Sequence, residues 1–348
     1  MYSRFGLVLM VNHACNLRCS YCYTGLKFSR KMPVDIAQRA ILRGLNSLSP
    51  GGELELGFFG GEPLLEAPLI ANLMQYAHAE AREHNRTATF NLTTNGTITA
   101  DVAWAVMTDP ALNLSISFDG QPDVHDRYRG DVIGNGSAES VLSTMRQLQE
   151  RGKRFNVITV VRPDTVEALP ESLRYMRGIG IEMVDLSLDL WTQWTHGDTR
   201  KLERALAECA DVWRESLPAF GVNWFNEKTI ELTGTRVAAT ARCGYGDGEI
   251  AVAPSGRLYP CERLIGQDLP GSPARLPGHV LQGADFLSYS EPGYPSPAPA
   301  CGLSCRCSNY VRTGQPDYPD GLLMLLDRVC LHETRRVLTG LLAVTAAH

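Results

Sequence analysis

Cys15-Asn-Leu-Arg-Cys19-Ser-Tyr-Cys22-Tyr23 is the stretch on which the reading of this chain turns. Its cysteines follow a C-x3-C-x2-C spacing. Three thiolates held so close in one loop can occupy three corners of a cubane iron–sulfur cluster and leave the fourth iron open. A structural zinc site takes four protein ligands instead. No fourth cysteine lies nearby, although His13 is placed to supply one, so on the loop alone both metals stand.

Outward from the loop, short apolar runs alternate with amphipathic stretches. The runs lie at residues 5–11, 53–59, 87–94, 111–118, 154–161 and 182–188; stretches of helical period fill 33–48, 67–83, 99–108, 137–151 and 165–178. Strands alternating with helices predict βαβ units on a parallel sheet with right-handed crossovers. Six repeats fit a partial (β/α)6 TIM-like barrel. A dinucleotide-binding fold would show Gly-x-Gly-x-x-Gly after strand one, where this chain has its cysteine loop. In such barrels chemistry collects at the C-terminal ends of strands. Those ends hold the cysteines, then Gly60-Gly61-Glu62-Pro63, Thr94-Asn95-Gly96, and Ser117-Phe118-Asp119-Gly120.

A further amphipathic helix is expected over 199–217, and then the texture changes. Gly and Pro become frequent and periodicity fades. We divide the chain into a barrel at 1–220 and a small, irregular, cysteine-rich iron–sulfur domain at 221–348. Asp320 is a candidate N-cap for a last helix, which would contain Cys330.

Composition narrows the function. The formal charge of −5 and the lack of a basic, aromatic-interleaved stretch argue against nucleic acid. No apolar run approaches the roughly 20 residues of a membrane span, and the N-terminus lacks a signal peptide, so a cytoplasmic protein without a membrane partner is expected. Ten cysteines in a reducing compartment point to metal or catalysis. Three form the loop and six run from Cys243 to Cys330. The tenth, Cys209, shares helical spacing with Leu202, Ala205, Leu206 and Val212 and reads as core.

With Tyr21 before its third cysteine, the loop resembles the signature of the radical S-adenosylmethionine superfamily. The resemblance implies a [4Fe–4S] cluster on Cys15, Cys19 and Cys22, with S-adenosylmethionine on the open iron. Gly60, Gly61, Glu62 and Pro63 resemble that family's GGEP motif, which receives the methionine amino group. The ends of strands three and four then imply cofactor contacts from Asn95, Ser117 and Asp119. The segment His125-Asp-Arg-Tyr-Arg129-Gly130 is also similar to the family.

Cys243 and Cys261, spaced C-x12-G-x4-C, resemble the entry to SPASM or twitch extensions, which hold auxiliary [4Fe–4S] clusters. Cys301, Cys305, Cys307 and Cys330 depart from that pattern, being compressed to C-x3-C-x-C and one cysteine short. Six thiolates serve one four-cysteine cluster with two spare, or two clusters with non-cysteine or open sites; a zinc ribbon is the alternative. Glu262 follows Cys261 where sulfatase-maturing relatives place an Asp base, and is our candidate base; an ion pair with Arg257 or Arg263 is the competing role.

The resemblance implies an oxidoreductase that modifies a ribosomally made peptide or protein through a 5′-deoxyadenosyl radical, by cross-link, cyclophane, thioether or dehydrogenation. It also implies a flavodoxin- or ferredoxin-type electron donor. The barrel begins within about ten residues, too few for a domain, so leader recognition is expected from a separate partner or another surface. Alternatives are a small-molecule radical dehydrogenase or epimerase, and a sulfatase-maturing enzyme. Trp191, Trp194 and Trp224 are candidates to line a substrate cleft.

Overall fold

The computed structural model describes residues 1–234, 245–290 and 305–345. Six parallel strands in chain order form its centre: β1 (Tyr2–Asn12), β2 (Leu48–Gly60), β3 (Thr87–Thr94), β4 (Leu112–Ser117), β5 (Phe155–Val161) and β6 (Met183–Leu188). Helices α1 (Val34–Asn46), α2 (Ala67–Glu83), α3 (Asp101–Met107), α4 (Pro122–Asp126), α5 (Ala138–Glu150) and α6 (Leu169–Gly178) lie between them. The partial (β/α)6 barrel is therefore the fold. At α6 the expected start at residue 165 gives way to a 3-10 turn over Val166–Ala168, and the α-helix begins with Pro170 in its first turn, where a missing N–H costs nothing.

Each strand buries one face against helices. Phe5, Leu7 and Leu54 lie on that face, so close to α1 that a Cβ on Gly44 would meet the Leu54 side chain at 2.9 Å. The opposite face stays half-exposed because the sheet does not close: β1 and β6 pair with other neighbours rather than with each other. Polar residues can line such a face, as at Asn91, Asn113, Asn156 and Asp185. Asn113 donates to Asn91 (3.1 Å) and Asn156 to Asp185 (3.1 Å).

Helix α7 (His196–Ser216) starts three residues earlier than the periodicity suggests. A capping box at Thr195 and Asp198 holds its first turn: Asp198 N donates to Thr195 Oγ1 (3.2 Å) and Thr195 N to Asp198 Oδ2 (2.9 Å). Cys209 is buried on this helix beside Leu206 and Val212, as its spacing suggests.

Beyond α7 the chain returns to the same sheet. Short β7 (Gly221–Val222) pairs with β6 and leads into α8 (Asn223–Thr233). On the far edge β8 (Glu249–Val252) pairs in parallel with Gly6–Leu9 of β1, and β9 (Leu258–Tyr259) turns back antiparallel. Two more helices follow, α9 (Arg306–Thr313) and α10 (Gly321–Thr345), the latter packed on α7 and α8. Asp320 caps α10 through Leu323 N (3.0 Å). Among the described residues no helix is long and apolar enough to cross a membrane.

A buried arginine of α1 fastens residues 279–286 to the barrel. Arg43 donates to the carbonyls of His279 (2.9 Å), Val280 (3.1 Å) and Asp285 (2.5 and 3.0 Å), and stacks 4.1 Å from the Phe286 ring. Burial pushes its guanidinium below the ordinary value, and these carbonyls take the place of the lost water. Arg43→Met removes the side-chain donor from three carbonyls, of which, among the described residues, only His279 O keeps another, Gln282 N (2.9 Å), and should cost about 3 kcal/mol of stability, read as a lower urea midpoint at unchanged slope.

Candidate functional site

The cysteine loop leaves β1 at Asn12 and is stitched down along its length. His13 N donates to Arg30 O (3.0 Å), Arg18 N to Gly130 O (2.7 Å) and Ser20 N to Tyr128 O (3.0 Å). The 125–130 segment thus acts as a backbone strap for the loop. Cys15, Cys19 and Cys22 are all free and half-buried, and Cys19 lies within electrostatic reach of both other thiols.

Their proton affinities differ. Burial pushes Cys15 up to about 11 and raises Cys19. At Cys22 burial also opposes ionisation, but Lys27 Nζ (2.9 Å) and Thr24 Oγ1 (3.2 Å) more than offset it and lower the pKa. The thiolate is the metal-binding form, so Cys22 is the thiol most ready to ligate. His13 stacks on Phe28 (4.4 Å) and burial pushes its pKa down to about 4, so it stands neutral.

Gly60 and Gly61 serve a crossing of chains. A Cβ on Gly61 would lie 2.2 Å from Ala14 O, and one on Gly60 2.5 Å from Asn12 Oδ1. Gly61 N donates to Asn12 O (3.1 Å) and Glu62 N to Ala14 O (2.9 Å), so the end of β2 lies directly on the stem of the cysteine loop. A side chain at either glycine would collide with Asn12 or Ala14. Pro63 opens a 3-10 turn. Glu62 is fully buried; Leu64 N (3.0 Å) and Thr94 Oγ1 (2.8 Å) donate to Oε1, and Asn95 N (2.7 Å) donates to Oε2. Burial pushes its carboxyl up to about 6 despite those donors.

Asn95 and Asp119 are committed within the protein. The Asn95 amide donates to Asn16 Oδ1 (2.9 Å) and its Oδ1 accepts from Thr97 N (3.0 Å). Asp119 is saturated: Tyr21 OH (2.5 Å) and Arg129 Nε (2.9 Å) reach Oδ2, while Val160 N (3.0 Å) and Arg129 Nη2 (3.2 Å) reach Oδ1. Burial opposes its charge, and Arg129 beside it still holds the carboxyl below the usual range. Neither Arg129 nor Tyr21 stood out in the sequence as a partner of Asp119. Ser117 ends β4 on the half-exposed face.

The second group gathers at the mouth of the same barrel. Cys261 follows β9, Cys305 precedes α9 and Cys307 lies in its first turn. Cys305 and Cys307 Sγ are 3.2 Å apart, and Cys307 hydrogen-bonds Cys261. Cys243 and Cys301 lie outside the described residues. Cys330 does not join the group; it is buried in α10, where its charged neighbours are Lys228, Asp327, Glu227 and Glu333. Glu262 accepts from Cys261 Sγ (3.4 Å). Among the described residues it forms no ion pair with Arg257, which pairs with Asp268, or with Arg263. No three His, Cys, Asp or Glu side chains among the described residues are grouped to hold a single metal ion. A cubane gives each thiolate a different iron and so asks for a wider spacing.

Tyr23 joins the two groups. Its ring stacks on Trp191 (4.8 Å, 11°) and Phe59 (6.2 Å, 7°). Its hydroxyl lies within electrostatic reach of Arg263, Glu262, Cys261 and Cys22 alike. Trp194 instead donates to Asp189 O (2.9 Å) beneath the same loop, and Trp224 packs on the core.

Two outcomes follow from this geometry. Glu62 binds its proton more tightly folded than unfolded, so its contribution to stability is present below pH 4.5 and lost as pH rises through about 6. Relative to the wild type without cofactor, Glu62→Gln should gain about 2 kcal/mol between pH 4.5 and about 7, measured by urea unfolding across pH. Cys307→Ala should lower the iron content of the reconstituted protein, whereas Cys330→Ala should keep it and lose only stability.

Comparison with known proteins fits this architecture. Residues 9–176 match the family model of the radical SAM superfamily. Over 335 residues the chain is 25% identical to the PqqA peptide cyclase of Granulibacter bethesdensis, covering 90% of this chain and 86% of that one. A cysteine-type anaerobic sulfatase-maturating enzyme of Clostridium novyi is 22% identical over 285 residues, 76% of this chain and 75% of the relative. An uncharacterized protein of Methanocaldococcus jannaschii is 28% identical over 182 residues, and the match spans 52% of this chain and 62% of that protein's length. The structure of native anSMEcpe with bound AdoMet and Cp18Cys peptide superposes with a TM-score of 0.78 at 16% identity, covering 97% of this chain and 98% of that one. Streptococcus suis SuiB bound to precursor peptide SuiA gives 0.62 at 13%, covering 92% and 76%. These two likenesses show a shared fold. Membership implies a [4Fe–4S] cluster and S-adenosylmethionine. The C-x3-C-x2-C loop at the head of an open (β/α)6 barrel is thus the cysteine loop of a radical SAM superfamily domain, which this chain carries over residues 9–176.

Proposed function

We propose that this enzyme oxidatively modifies a peptide or protein, holding its first cluster on Cys15, Cys19 and Cys22 and an auxiliary centre on Cys261, Cys305 and Cys307. Most direct support comes from the two cysteine groups both reaching Tyr23, with a carboxylate, Glu262, against Cys261 of the second. The donor set suits a cluster: three free thiols in one loop, one of them already biased towards thiolate. With the cluster and S-adenosylmethionine bound there, the group would supply reductive cleavage of the sulfonium and hence a 5′-deoxyadenosyl radical.

The chain's own residues do the rest. Glu62 offers its buried carboxylate to the methionine ammonium, whose charge would draw the carboxyl back below 6. Ser117 faces the same open end and is our choice for a sugar or carboxylate contact. Asn95 and Asp119 act indirectly, by holding the loop. With those groups in place, a substrate hydrogen atom would go to the 5′-deoxyadenosyl radical, the second electron would be taken up by the auxiliary centre, and Glu262 would accept the proton released with it. Phe59, Tyr23 and Trp191 wall the gap where that residue would sit, and Trp191 is 45% exposed.

The relatives support a peptide over a small molecule, being named as a peptide cyclase and as sulfatase-maturating enzymes. Sulfatase maturation on a Cys or Ser is the second reading, favoured by the position of Glu262 directly after Cys261. A flavodoxin- or ferredoxin-type protein would deliver the first electron.

Anaerobic incubation with S-adenosylmethionine and dithionite should release 5′-deoxyadenosine, more of it with a substrate peptide, which should lose two hydrogens by mass. Glu262→Gln should keep the 5′-deoxyadenosine and lose most of the product. Absence of 5′-deoxyadenosine after full cluster reconstitution, or stimulation by sugars and not by peptides, would count against this function.

A further inference from the structure

Arg263 lies in the 3-10 turn Glu262–Leu264, directly after the first auxiliary cysteine. Its guanidinium points across the barrel mouth, with Nη2 3.5 Å from Ser187 Oγ at the end of β6. Around it stand the thiols of Cys261, Cys305 and Cys307 and the hydroxyl of Tyr23. Neighbouring arginines are all neutralised: Arg257 by Asp268, Arg306 by Asp317 and Arg312 by Asp320. Among the described residues no carboxylate pairs with Arg263, and the adjacent Glu262 faces the Cys261 thiol instead. A guanidinium drawn into a crowded site without a counter-ion is costly, because its desolvation goes uncompensated. Something anionic is therefore expected where the three sulfurs converge.

We propose that Arg263 is the built-in counter-charge of the auxiliary centre and raises its reduction potential, favouring uptake of the substrate's electron there. This role rests on the auxiliary centre proposed above. A cluster held by thiolates is net negative and becomes more so on reduction, so a fixed cation at its edge favours the reduced state. Arg263 is next to the auxiliary cysteines, whose thiols and the Tyr23 hydroxyl make up its electrostatic surroundings. The first group has a cation of its own, Lys27, with Nζ 2.9 Å from Cys22 Sγ. Arg263 is a positioning residue in this sense: it acts through the potential of the centre and forms no bond to the reacting atoms.

The test is an anaerobic redox titration of the reconstituted full chain, followed by electron paramagnetic resonance with iron counted on each sample. In Arg263→Gln the auxiliary signal should move to a more negative midpoint potential while the signal of the Cys15, Cys19 and Cys22 centre moves less. Arg263→Lys, which keeps the charge, should restore most of the shift. In turnover the Gln variant should release severalfold more 5′-deoxyadenosine per product, because the substrate's electron has lost its acceptor. Should the Gln variant lose auxiliary iron that the Lys variant keeps, the charge requirement is read from retention instead. An unmoved potential in a fully loaded Gln variant, or equal loss of iron from both variants, would overturn the role of Arg263 and leave the proposed function standing. A wild-type protein with iron for one cluster and no second signal would instead remove the auxiliary centre itself.

Discussion

The carboxylate of Asp119 is the constraint on which the arrangement depends. It sits buried at the end of β4 and accepts from Tyr21 of the cysteine loop, from Arg129 of the strap and from the backbone of β5. Burying that charge is expensive, and breaking such a pair by removing one partner typically costs 3–5 kcal/mol. The cost is offset only while all the donors are in place. One buried group therefore demands that the loop, the strap and the sheet hold their native relation together. Arg129 and Arg162 add cations over the Tyr21 ring, at 5.2 and 5.7 Å, on the loop side of the same network.

A second crossing, at Gly61, fixes the other side of the loop. Just past β2, Gly61 N and Glu62 N donate to the carbonyls of Asn12 and Ala14, and the Asn12 side-chain amide donates back to Glu62 O. The loop is thus clamped between β2 on one flank and the 125–130 strap on the other, while its cysteines stay half-exposed towards the open end of the barrel. Rigid mounting and an open face together suit a site that must hold a large inorganic group and still admit a substrate. The polar lining of the unclosed sheet follows from the same openness, since a closed barrel would fill its interior with packed side chains.

Much of this was legible in the chain. Strand and helix periods located all six βα units, and the capping residue Asp320 placed the last helix. Cys15, Cys19, Cys22 and Gly60–Pro63 stand out in the sequence by residue type and spacing, and the fold brings them together where β1 and β2 end. Asn95 and Asp119 were recognised as strand-end residues, but their direction was not readable. Whether a carboxylate faces a ligand or an arginine ten residues on depends on the turn between them. Cys330 illustrates the same limit: its helix is evident in the sequence, but only packing against α7 and α8 buries it apart from Cys261, Cys305 and Cys307. Arg43 and Arg263 carried no local signal, since their partners are distant in sequence or are sulfurs.

Strand β8 deserves a last thought for what it hides. It lies along the middle of β1, the strand that launches the cysteine loop. A chain ending before that strand would keep every residue of the first cysteine group, yet would bare part of an eleven-residue edge to solvent. Unpaired edges of that kind invite pairing with another copy. The late segment therefore protects the solubility of the barrel as well as bringing cysteines to its mouth, and shortened versions of this protein would self-associate before they lost their fold.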